Sequence, residues 1–301
     1  MEAFAQKATR ASQNPWLVLL GLVITCIVTL WTVLFTFLNP DQIKAPLIWI
    51  LCFVVILAFA FCVFGLRTFY RENTAFRKAV PFFHEINHAY RDYLAENIIH
   101  NDNPPKGIDD FIAGEKALVH SVAANMADIF SLLARHRCVV TVKLCKSQQN
   151  KDYCYTYTRS ETNSPRDRER NRVFAIDPDK NTGFYEARTR QNKAEYYRYF
   201  CNDLNKAVED QHYKNERAAF LGYYQSAIVV PIRFTPEQDF KTEKKQHKEL
   251  GFLCVDCGSR NVFDEIVHVP LLAAFADQMY NFINLSRART LAIAEAATKQ
   301  K

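Results

Sequence analysis

Charge is missing from two stretches of this 301-residue chain. Residues Trp16 to Leu38 and Leu47 to Leu66 contain no Asp, Glu, Lys or Arg, so the 38 basic and 32 acidic side chains all lie elsewhere. A single soluble globule does not segregate its charges in this way. At 49% hydrophobic and 13% aromatic residues, the chain is too apolar to be disordered or a purely nucleic-acid-tethering protein. The first run is longer than the roughly 7–15 residues of a signal-peptide core, and Asn39-Pro40 supplies no small-residue cleavage site, which excludes a secretory signal. Neither run holds an ionisable group of the kind an ion pump, proton relay or voltage sensor needs. Nothing resembles a kinase, cyclase, phosphodiesterase or DNA-binding module.

Each charge-free run is long enough to cross a hydrocarbon core of about 30 Å as a helix. The expected layout is a cytosolic terminus (1–15), a first span (16–38), a short external loop (39–46), a second span (47–66), a helical connector (67–107), a folded domain (108–286) and a helical tail (287–301). Lys7 and Arg10 precede the first span, and Arg67, Arg71, Arg77 and Lys78 follow the second, which places both ends in the cytoplasm by the positive-inside rule. That predicts a multi-pass protein of the cell inner membrane. Six cysteines fall in the soluble part, Cys138, Cys145, Cys154, Cys201, Cys254 and Cys257, and are expected to be thiols in a reducing compartment.

Gly21, Thr25, Thr29, Thr32 and Thr36 share one helical face in the first run. Such a stripe serves as a packing seam between helices, or lines a wet path when several hairpins assemble. In the connector, His84-Glu85-Ile86-Asn87-His88 has the H-E-x-x-H spacing at which two histidines one turn apart bind zinc beside a general-base glutamate. No convincing third ligand follows, so His84 and His88 are weak metal candidates. The alternative is a signalling helix with solvated polar side chains. Pro81 predicts a kink or a fresh helix start, and the Asn101 to Gly107 segment is the clearest breaker.

Beyond it, spacing predicts a helix over Ile112 to Leu133, strands over Cys138 to Leu144 and Tyr153 to Thr158, a mixed-charge loop over Arg159 to Arg172, a helix over Lys193 to Val208, strands over Ser226 to Phe234 and Glu249 to Cys257, and a long helix from Phe263. Tyr224 to Ile232, reading YQSAIVVPI, and Gly251 to Asp256, reading GFLCVD, resemble two core strands of the GAF sensor domain. Leu271 to Gln278 is similar to that family's terminal dimer-forming helix. The fold class is therefore expected to be an N-terminal transmembrane hairpin plus an α+β cytosolic domain with a GAF-like antiparallel sheet and packed helices.

The resemblance implies a pocket between sheet and crossover helices, with Tyr197, Asn202, Asp203, Asn215, Arg217, Tyr224 and Ser226 as its residues. Aromatic faces, amides and one arginine suit a planar or phosphorylated ligand, although Asn202 and Asp203 also suit helix capping. No catalytic residue is assigned, and the sequence requires no cofactor. Cys254 and Cys257 are three residues apart, an odd spacing, so a continuing strand turns them to opposite faces. The layout resembles the two-span membrane effectors of bacterial antiphage systems, retron-associated or cyclic-oligonucleotide-linked. It implies abortive infection by membrane disruption, with the lipid bilayer, a second copy of the chain, and a regulatory protein or nucleotide-derived trigger from a neighbouring gene as partners. No direct nucleic-acid site is evident. A membrane-bound receptor that recruits a separate enzyme is the alternative.

Overall fold

The computed structural model describes residues 45–99, 107–148, 151–161, 172–189, 197–217, 219–233 and 249–299, and the chain divides into two compact units, Met1–Arg77 and Lys78–Lys301. The described part of the first unit is the opening of α1 (Ala45–Leu94). There the Arg77 guanidinium donates to Asn73 Oδ1 at 3.1 Å and the Thr74 hydroxyl to the Tyr70 carbonyl at 2.7 Å.

The second unit is α+β. After α1 and a π-helical turn (Ala95–Ile99) come α2 (Ile108–Ala134), β1 (Cys138–Gln148), β2 (Lys151–Arg159), β3 (Val173–Ala175), α3 (Thr182–Thr189), β4 (Tyr199–Cys201), α4 (Leu204–Glu209), β5 (Ser226–Arg233), β6 (Glu249–Cys257) and α5 (Glu265–Lys299). The strands form one six-stranded sheet in the order β3-β2-β1-β6-β5-β4, and every described pairing is antiparallel.

Both faces of the sheet are covered, and strand alternation decides what each face meets. Val140, Val142 and Leu144 of β1, Ile228, Val230 and Ile232 of β5, and Leu253 and Val255 of β6 join α2, α5 and the end of α1 in the larger core. In that core Phe83 stacks on Phe275 at 5.4 Å and Tyr90 meets Phe282 at 5.2 Å. The intervening positions, including Cys154, Ala227, Val229, Phe252 and Cys254, form a second cluster with α3, α4 and the turn at Phe220. A strand buried on both sides reads as an almost continuous apolar run, which is why β5 and β6 stand out in the sequence. Pro231 sits within β5 because β4 pairs only with Ala227, Ile228 and Val229 and leaves that edge unpaired farther along.

Three expectations change. The two-span hairpin is not carried by the structure. Residues 16–38, with Gly21, Thr25, Thr29, Thr32 and Thr36, lie outside the described residues. Among the described residues one helix is long and apolar enough to cross a membrane, and it is α2. Its buried side, Phe111, Glu115, Val119, Val122, Met126, Ile129 and Phe130, repeats at three and four residues as a core helix does. Glu115 at its centre accepts from the Tyr157 hydroxyl at 2.7 Å and bonds the Ser286 hydroxyl. A multi-pass inner-membrane location, and the antiphage membrane-effector function built on paired spans, fall with the hairpin. Apolar length is a property that a core helix shares with a membrane span, and the second run is not a separate element but part of the 50-residue α1.

Next, of the two outcomes expected at Pro81, a kink or a fresh helix start, the second does not occur, since α1 continues through it. Lastly, the expected helix over Lys193 to Val208 is broken: Tyr199 to Cys201 is an edge strand paired to β5 and only Leu204–Glu209 is helical.

Candidate functional site

A cavity of about 70 Å³ opens between the second face of the sheet and the crossover segment. The sheet contributes Thr141 and Lys143 from β1, Arg159 from β2, Phe174 from β3, Tyr199 from β4, Ala227 and Val229 from β5, and Cys254 and Asp256 from β6. Asn181, Gly183 and Phe184 at the head of α3, with Tyr213, Asn215, Arg217 and Tyr224 from the loop after α4, close it. Arg188 holds α3 in place: its guanidinium donates to Glu249 at 2.7 Å and to Asp152 at 2.7 Å, tying the helix to β6 and β2.

The aromatic wall is a chain of ring contacts. Tyr199 and Tyr213 stack at 5.4 Å, Tyr213 meets Phe220 edge-on at 5.3 Å, and Phe220 meets Tyr224 at 5.7 Å. Asn215 orders the polar end, donating to the Tyr213 and Tyr224 hydroxyls at 3.0 and 2.9 Å and accepting from the Arg217 backbone N–H at 2.9 Å.

Charge in this wall is unbalanced. Lys143, Arg159 and Arg217 face a single carboxylate, Asp256. Lys143, Arg159 and Asp256 are each only 8% exposed. Lys143 Nζ donates to Thr156 Oγ1 at 3.1 Å and lies 3.9 Å from the centroid of the Phe174 ring, which Arg172 and Arg217 also approach, at 5.5 and 5.9 Å. Burial pulls the Lys143 ammonium below its ordinary pKa, and Arg159 and Arg217 push the same way against the opposing effect of Cys154 and Cys254. Burial also holds the Cys254 thiol well above the usual thiol range and pushes the Cys154 thiol up to about 11.

Arg159 reaches the cavity because of an irregularity. Lys143 pairs with Thr156 and Val142 with Thr158, so β2 carries one extra residue, Tyr157, at that point. Simple alternation sends residue 159 to the face opposite Thr156. The bulge restores it to the Thr156 face, opposite Thr141, whose hydroxyl accepts from Arg159 Nε at 3.3 Å.

Of the residues expected from sequence, Asn215, Arg217 and Tyr224 line the cavity and the other four do not. The Tyr197 ring lies under the Arg233 guanidinium at 3.2 Å. Asp203 caps α4 by accepting from the Lys206 N–H at 3.1 Å. Asn202 bonds both backbone groups of Phe263, at 2.6 Å to the carbonyl and 3.0 Å from the N–H, and the Ser226 hydroxyl lies 2.9 Å from the Asn202 carbonyl and 2.7 Å from that of Ser259. Asn202 thus fastens β4 to the start of α5. Asn202→Ala is expected to cost about 2 kcal/mol in urea unfolding, from two lost amide bonds to buried backbone, while leaving the cavity intact. A loss below about 0.5 kcal/mol would contradict this role.

His84 and His88 are 4.0 Å apart ring to ring, and His88 Nδ1 is 3.0 Å from an Arg91 guanidinium nitrogen. Among the described residues no three His, Cys, Asp or Glu side chains are grouped to hold a metal ion. Cys254 and Cys257 lie in different clusters on opposite faces of β6.

Thr141, Lys143, Arg159 and Asp256 were not expected at a site. A lysine within an apolar strand, between Val142 and Leu144, is the one signal the sequence offered. No pattern announces the bulge that brings Arg159 in.

No protein-family model matches the chain, and no curated protein matches it. Among solved structures it is similar to a GAF domain (16% identity, TM-score 0.36, covering 60% of this chain and 86% of that one). It is also similar to the GAF domain of an Acinetobacter phosphoenolpyruvate-protein phosphotransferase (13% identity, TM-score 0.36, 68% and 96%). A third is a type II free methionine-R-sulfoxide reductase from Thermoplasma acidophilum (13% identity, TM-score 0.37, 57% and 94%).

Proposed function

We propose that the unit beginning at Lys78 is a non-catalytic sensor module of the GAF-like kind, in which a small molecule occupies the cavity on one face of the sheet and the helices on the other face transmit its occupancy. The observation that carries this reading is the cavity itself, with aromatic rings on its walls and a few fixed polar groups, set between a sheet and its crossover segment. The sequence stretches that resemble GAF strands coincide with β5 and β6. A binding rather than a catalytic role is supported by the chemistry of the wall. Its one thiol, Cys254, is held protonated by burial, and no histidine lines the cavity to serve as its base. Strands β1, β5 and β6 touch the ligand face with one set of side chains and α2 and α5 with the next, so displacement of a strand reaches both.

A ligand present at a hundredfold over its Kd stabilises the native state by about 2.7 kcal/mol, which for a domain of this size raises Tm by roughly 5–10 °C. A thermal-shift screen of the purified full-length chain against small metabolites should find such a ligand, recoverable unchanged, with hydrogen-exchange protection at β1, β6 and the Tyr213 to Tyr224 loop. Turnover of the ligand would sink the non-catalytic reading, and protection confined to α5 would sink the pocket.

A further inference from the structure

We propose that the ligand of this cavity is a small organic anion, its carboxylate or phosphate held by Lys143, Arg159 and Arg217 and its body lying among Phe174, Phe184, Tyr199 and Tyr213. This rests on the sensor reading above and names what the sensor binds. Lys143 carries the argument. An ammonium removed from water loses its hydration shell, and a buried one is normally compensated by a paired opposite charge. Its contacts are neutral, a threonine hydroxyl at 3.1 Å and the face of Phe174 at 3.9 Å. One hydrogen bond and one cation–π contact satisfy only part of a group with three donors. Arg159 and Arg217, which share the cavity wall with it, are of its own sign and disfavour its charge further. Among the described residues no carboxylate is bonded to Lys143. A lysine in that position, with its charge turned into the cavity and only neutral groups bonded to it, lacks an anion.

The cavity also limits size. At about 10–15 Å³ per water-sized centre, 70 Å³ admits some five to seven such centres, matching a ligand on the order of ten non-hydrogen atoms. An amino-acid-sized or single-ring acid fits that space.

Isothermal titration of the purified full-length chain with benzoate, phenyl phosphate and benzamide separates the possibilities, since benzamide is the neutral isostere of benzoate. At least one of the two anions is expected to bind tenfold or more tightly than benzamide, and whichever binds better identifies the headgroup. Lys143→Met should erase that preference while far-ultraviolet circular dichroism stays unchanged. Arg217→Met is the second variant should the first fail to fold, and it should reduce the preference in the same direction. Benzamide binding as well as both anions would overturn the anion inference and leave the sensor reading in place. No binding of either anion up to millimolar concentration would likewise overturn the anion inference, while the sensor reading stands or falls on the thermal-shift screen.

Discussion

Gly251→Ala should unfold this domain at a temperature far below the parent. A Cβ on Gly251 would sit 1.9 Å from the carbonyl oxygen of Lys143 and 2.9 Å from its carbonyl carbon. Both are backbone atoms of the neighbouring strand, and real Cβ atoms do not approach so closely. Gly251 pairs with Leu144 on one side and Ile232 on the other, so relief requires β1 and β6, the two central strands, to separate. Overpacking that side-chain motion relieves costs about 1–3 kcal/mol; here the backbone itself must move, and a loss of at least ~3 kcal/mol is expected, or a fall in Tm of about 6–12 °C. Gly114→Ala is the matched control. Its Cβ would meet only the Tyr93 ring at 3.6 Å within α2, and the helix should gain roughly 0.5–1 kcal/mol. Calorimetry on the two variants checks both, and a Gly251→Ala protein as stable as the control would refute the close approach.

The second large effect has the opposite sign. In the absence of ligand, Lys143→Met is expected to stabilise the domain by roughly 1–3 kcal/mol, because a buried cation without a carboxylate is replaced by an isosteric apolar chain. The pH dependence follows from linkage. The Lys143 pKa is lowered on folding from its ordinary 10.5, so between the folded value and 10.5 the unfolded chain binds more protons and stability rises with pH. The penalty is therefore complete below the folded value and disappears as pH climbs from there toward 10.5. Urea unfolding of parent and variant from pH 7 to 10.5 should show curves that converge on the alkaline side. A saturating anion should reverse the order at neutral pH, since it binds the protonated lysine and only the parent can use it. A variant less stable than the parent at every pH would mean that Lys143 is held by something other than the groups around it.

How far the sequence could be read depended on whether a residue's role was local or phased by its neighbours. The alternation in Cys138 to Leu144 and the apolar runs of β5 and β6 were legible because burial on one or both faces dictates them directly. Asn215, Arg217 and Tyr224, which line the cavity, stood out because polar and aromatic side chains cluster within ten positions. Asn202, Asp203 and Ser226 belong to the same polar cluster, yet they serve backbone groups, which composition cannot distinguish from a ligand. Residues 47–66 misled for a different reason: the absence of charge was counted without the helix that continues past Leu66 to Leu94. Tyr199 to Cys201 was lost to a helical reading because a three-residue edge strand has too few positions to show a period.

The extra residue at Tyr157 carries a consequence for how this stretch can change over time. Tyr157 points its hydroxyl at Glu115 of α2, while Arg159, two positions on, faces the cavity on the far side of the sheet. The bulge lets two consecutive residues face α2, since Thr158 Oγ1 also lies 3.3 Å from His120 Nδ1 on that helix. Removing either one would restore simple alternation and keep the guanidinium on the cavity side, two steps from Thr156, at the cost of one of the two contacts to the helix. The cavity face of this short segment thus tolerates loss of the extra residue, and it is the helix face that needs it.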